Sequence, residues 1–214
     1  MTGWAAVGSE DHRYIQPVDW QRDMTKTVLQ MPDPEWAGYP QAISDTGFVA
    51  GYLDDGGSHP PGCHLWTPWG RGIDIDVGNY CVAHGVDDLA RVVGEHQFDG
   101  GVHGFLWKAG RMHDLGTLGG SPSIAYAINL RGQVVGAPFT AGNERHAFLW
   151  HGGKMTDIGN WEDFYDSIAW AINARGEIVD WASRRGQDNR AVRFDHGRVV
   201  PLEDEVESLG ECIC

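Results

Sequence analysis

Cysteine is scarce in this sequence: four residues, at 63, 81, 212 and 214, in a chain of 214, with no C-x-x-C pair. That excludes a small disulfide-built scaffold and the spacing of a structural zinc site. Positive charge is scarce as well. Sixteen Lys and Arg face thirty Asp and Glu, a net charge of −14, which argues against a nucleic-acid backbone or an anionic lipid surface as partner. No run of 18 apolar residues occurs, and MTGWAAVGSEDHR at the start has neither the basic nor the apolar region of a signal peptide. The expectation is a cytoplasmic protein without a membrane segment, its four thiols reduced. The glycine-rich phosphate-binding fingerprints, G-x-S-x-G and H-E-x-x-H are also missing, so no cofactor is expected.

What the sequence has in excess is glycine, 30 residues or about 14%, roughly twice ordinary usage. Such a chain turns often. The glycines follow a repeat: Gly51, Gly94, Gly136 and then Asp180 close equivalent segments at spacings of 43, 42 and 44, and Gly8 fits one period earlier. Each unit holds four strand-length segments separated by turns, as in SIAYAIN, GQVVG, HAFLW and KMTDIG. Four strands per repeat of about 43 residues predict an all-β fold, a β-propeller of five four-stranded blades, in one domain over 1–214. SLGECIC (208–214) matches the first strand SIAWAIN (167–173), whereas TGWAAVG near the start matches a second strand. The C-terminal strand is therefore expected to complete the N-terminal blade and close the ring.

The pattern H-x-F-L-W-x-x-G-x-M-x-D-L-G followed by S-x-A-x-A-I-N-x-x-G-x-V-V-G resembles the HAF-repeat family, with His146-Ala147-Phe148 as the literal triplet. The pattern is sharpest from about 81 to 180. The resemblance implies a β-propeller, with no particular chemistry.

Comparing repeats separates scaffold from positions free to vary. Trp66, Trp107 and Trp150 end the third strand in three units and read as wedges between blades. Ser44, Asp87, Asn129 and Asn173 open a turn that a short polar side chain can cap. His103 and His146 recur at the head of the third strand, which suits a structural hydrogen bond. The middle of the first strand differs in every unit: Gln41, His84, Tyr126, Trp170 and Glu211. A ring of five inner strands has a radius of roughly 8 Å for sheets about 10 Å apart, so long side chains there nearly meet. This column is the expected site for a small, largely apolar molecule.

In that reading Glu211, His84 and Tyr126 are catalytic, and Gln41 and Trp170 bind substrate. Trp36, Trp161 and Trp181, on variable loops, form a recognition rim. The expected activity is cofactor-independent acid–base chemistry of a lyase, isomerase or cyclase. No metal is expected: Cys81 and His84 are the one tight Cys/His pair, and the repeat accounts for both positions. A protein-interaction platform on the acidic, aromatic loops is the alternative, followed by a multivalent carbohydrate binder.

Overall fold

The computed structural model describes residues 2–9, 12–20, 26–33, 35–57, 59–76, 79–160, 164–184, 189–195 and 198–202. Strands β1 (Thr2–Ser9), β2 (His12–Trp20) and β3 (Lys26–Val28) form a three-stranded antiparallel sheet. Four four-stranded antiparallel sheets follow. They are β4 (Ala37–Ile43) to β7 (Gly72–Asp76) through β5 (Val49–Asp54) and β6 (Gly62–Trp66), then β8 (Cys81–Val86), β9 (Val92–Phe98), β10 (Gly101–Lys108) and β11 (Arg111–Asp114). The third comprises β12 (Gly119–Ile128), β13 (Val134–Thr140), β14 (Phe148–His151) and β15 (Lys154–Asp157), and the fourth β16 (Phe164–Ile172), β17 (Ile178–Arg184), β18 (Arg190–Asp195) and β19 (Arg198–Pro201). Each pairs its strands in chain order, as short turns between segments require. The strand expected at 208–214, and with it Cys212 and Cys214, lies outside the described residues.

Packing divides the chain into two compact units, Met1–Gly100 with Phe105–Asp114, and Gly101–Gly104 with Leu115–Cys214. In the first, Ala50, Cys63, Leu65, Cys81, Ala83, Val92 and Phe105 form a buried core, beside a second cluster of Leu29, Val49, Leu53 and Trp66. In the second, Val135, Ala147, Ile158, Ala169 and Ile178 do the same. Among the expected tryptophan wedges, Trp66 is fully buried and gives its indole N–H to the Gln30 carbonyl at 2.8 Å, whereas Trp107 and Trp150 are only partly buried. The fully buried rings sit two residues earlier, at Phe105 and Phe148.

The repeated residues hold one another. In the H-A-F triplet, His146 Nδ1 lies 2.8 Å from Asp157 Oδ2 across the β14–β15 hairpin. The Ala147 N–H donates to Ser167 Oγ on β16 at 2.8 Å, and Phe148 is fully buried. A side chain at Gly159 would lie 2.1 Å from that serine oxygen, so the closing glycine is required. The expected turn caps are present: Asn129 Oδ1 accepts from the N–H groups of Arg131 and Gln133, Asn173 Oδ1 from Arg175 and Glu177, and Asp87 Oδ1 from Leu89 and Arg91.

The thiol expectation is corrected for two of the four cysteines. Cys63 on β6 and Cys81 on β8 form a disulfide with Cα atoms 5.0 Å apart, and both are fully buried. Residence in different repeats suggested separation, but the third strand of one sheet meets the first strand of the next. The equivalent junctions show the same meeting without sulfur. The Gly104 N–H donates to Ser123 Oγ at 2.8 Å, as Ala147 does to Ser167. Cys63 stands in the column of Gly104 and Ala147, and Cys81 in that of Ser123 and Ser167. Disulfides persist in oxidising compartments and are rare in the cytosol.

Candidate functional site

The first strand of every four-stranded sheet carries a β-bulge at one place. The register with the second strand slips between Pro40 and Ala42, Ala83 and Gly85, Ala125 and Ala127, and Ala169 and Ala171. The skipped residues are Gln41, His84, Tyr126 and Trp170, the chemically varied column of the sequence. A bulge residue leaves the ladder and its side chain is re-aimed, which is why bulges gather beside functional sites. The opposing glycines follow from the same distortion. A side chain on Gly51, Gly94 or Gly136 would lie 2.0, 2.0 and 1.9 Å from the carbonyl oxygens of Tyr39, Val82 and Ile124.

In the first unit, His84 is one-fifth exposed and its Nε2 lies 3.5 Å from Oε1 of the largely buried Glu95. The Tyr80 hydroxyl donates to the same carboxylate oxygen at 3.1 Å. Burial foremost, then the charge of Glu95, raises Tyr80 to about 12, so it stays a neutral donor that fixes the carboxylate. Tyr39 and Tyr52 stack nearby at 4.9 Å, and Gln41 is exposed. Trp36 is half buried against the cluster around Trp66.

In the second unit, the Tyr126 and Trp170 rings lie 4.5 Å apart, with Trp170 half exposed at 51%. Beside them the Arg145 guanidinium forks onto the Asp166 carboxylate and lies 5.6 Å from the centre of the Trp181 ring. That fork, foremost, holds the Arg145 pKa above its ordinary value. Trp161 and Glu211 lie outside the described residues.

Two groups escaped the sequence reading. Glu95 belongs to a second varied column, Tyr52, Glu95, Ala137 and Trp181, one residue after the glycines. Applying the variation test to the second strand would have found it. Asp180 was visible as the exception in the glycine column. It is buried, its Oδ1 accepts from the Ile168 N–H at 2.9 Å, and its Oδ2 has no hydrogen-bond donor among the described residues. Burial raises its pKa to about 7, against the pull of the Ile168 and Trp181 N–H groups. Room for the carboxyl group comes from the facing position, where Val192 pairs with Asp180 as Phe148 pairs with Gly136. In the first unit the facing position is His64, opposite Gly51. It is buried against Trp66, and burial lowers its pKa to about 4 although Asp74 Oδ1 lies 2.9 Å from Nδ1. Among the described residues no three His, Cys, Asp or Glu side chains gather as metal ligands.

Against known proteins, the chain matches no family model and no curated sequence. Its structure is similar to TolB from Acinetobacter baumannii, with a TM-score of 0.62 at 13% identity over 88% of this chain. The match spans about half of that protein, 48% of its length. At this identity the likeness establishes the fold: an all-β, propeller-like architecture of antiparallel sheets.

Proposed function

We propose that this chain binds a small, largely apolar molecule and acts on it by acid–base chemistry, with His84 as the proton-transfer group. The observation that supports the reading is the position of His84. It occupies a bulge, its side chain is one-fifth exposed, and its buried Nε2 rests against a shielded carboxylate that Tyr80 holds in place. When His84 takes a proton from the substrate, the Glu95 carboxylate stabilises the imidazolium. The same proton returns to a different substrate atom, so an isomerisation closes without oxidant or cofactor. Glu95 takes up the partner role first expected of Glu211. Gln41, Tyr126 and Trp170 occupy the equivalent bulges of the other three four-stranded sheets. Five blades, ring closure and kinship with HAF-repeat proteins belong to the same proposal, supported by the repeated bulge, glycine and serine positions.

The test is a panel of small apolar carbonyl compounds and alkenes, assayed for binding and for deuterium uptake from heavy water. His84→Ala should slow exchange at least about a hundredfold, and Glu95→Gln should do so with binding retained. Full exchange in both variants would remove His84 from the chemistry. A protein-docking role is the second reading, favoured by the exposure of Trp69 at 84% and Trp170 at 51%. Absence of any small ligand, with partner binding lost in Trp170→Ala, would favour it. Repeated carbohydrate sites would need the bulge residues to recur, and they do not.

A further inference from the structure

The turns of the β8–β11 sheet border an open hollow of about 620 Å³, lined by Leu89, Arg91, Lys108, Ala109, Arg111 and His113. Four of these six are basic, in a chain whose net charge is −14. Arg91 is answered by Asp87, to which it donates through Nε at 2.6 Å. The side chains of Lys108, Arg111 and His113 form no ion pair with a described residue, so their donors face the hollow's contents or water. Asp88, in the 87–91 turn, is engaged by Thr46, whose N–H and hydroxyl both donate to its Oδ1. Asp87 and Asp88 are thus already committed to other groups.

The backbone adds an independent sign. Outside glycine, positive φ occurs among the described residues at Ala90 (57°), Ala109 (50°) and Asn143 (62°). Two of the three belong to the turns around this hollow. The equivalents of Ala90 are Gly47, Gly132 and Gly176, and the equivalent of Ala109 is Gly152. This sheet alone puts methyl groups where the left-handed backbone favours glycine, and the Ala109 methyl is part of the lining. Together with Leu89, 65% exposed, it gives the basic hollow an apolar wall. The volume is that of a small-ligand site.

We infer that this hollow binds a phosphorylated small molecule, its phosphate held by Lys108, Arg111 and His113 and its apolar body laid on Leu89 and Ala109. Binding here is separate from the chemistry assigned to His84. The probes are phenyl phosphate, inorganic phosphate, phenol and sodium chloride at matched ionic strength, followed by calorimetry and by backbone amide shifts. One phenyl phosphate should bind per chain, more tightly than inorganic phosphate, with shifts confined to the turns at 87–91 and 108–111. Lys108→Ala and Arg111→Ala, both exposed and expected to fold normally, should each weaken binding about tenfold. Shifts reproduced by sodium chloride, or unchanged affinity in the double variant, would overturn the site. Equal affinity for inorganic and phenyl phosphate would overturn the ester assignment.

Discussion

Replacing Asp180 by Asn should change how stability depends on pH, and the size follows from the buried carboxyl group. In the folded chain Asp180 holds its proton up to about pH 7, whereas an unfolded aspartate releases it near 3.8. Between those values folding takes up a proton, so stability falls as pH rises and levels off above 7. A difference of about three pKa units corresponds to roughly 4 kcal/mol. Asn keeps an oxygen for the Ile168 N–H but puts a buried NH₂ where Oδ2 was, at a cost of about 1–3 kcal/mol that does not vary with pH. The stability difference between variant and wild type should therefore swing by about 4 kcal/mol in favour of the variant from pH 4 to pH 8. Urea denaturation of both proteins across that range, at constant ionic strength, measures it. His64, whose lowered pKa gives the opposite slope below 6.5, is common to both proteins and cancels. A difference constant to within about 1 kcal/mol across the range would refute the assignment of a neutral, buried Asp180.

Thiol labelling of the denatured, unreduced protein should leave Cys63 and Cys81 unlabelled. The double variant Cys63→Gly with Cys81→Ser copies the Gly104–Ser123 junction and should fold with a loss of about 2–3 kcal/mol, read from urea midpoints. Wild-type stability in that variant would show the bond to be energetically idle. Gly136→Ala should cost more than about 3 kcal/mol, since its methyl would lie 1.9 Å from the Ile124 carbonyl oxygen. Gly152→Ala, at φ +60° with open space around it, should cost about 1 kcal/mol in the same assay.

The repeat made the strands legible because each segment pairs with the next in chain order, so local turn chemistry suffices to place it. The caps at Asn129, Asn173 and Asp87 were readable for that reason. The disulfide was not, because it joins positions 63 and 81 through the packing of one sheet on the next, which no turn signal encodes. The varied column was readable as a column, but its meaning needed the backbone: only the slipped registers show that Gln41, His84, Tyr126 and Trp170 stand outside the ladder. The carboxylate at His84 comes from the neighbouring strand, Glu95, a pairing across two columns that comparison within one column of the repeats does not encode.

The Cys63–Cys81 bond also encloses Trp69, 84% exposed in the turn between β6 and β7. A protease cutting at that turn breaks the polypeptide without parting it. The two fragments stay tethered through the buried sulfurs, and β6 and β7 keep their pairing across the cut. The exposed turn is therefore a place where this chain tolerates a break: new ends made at Trp69 stay beside a staple the chain already carries.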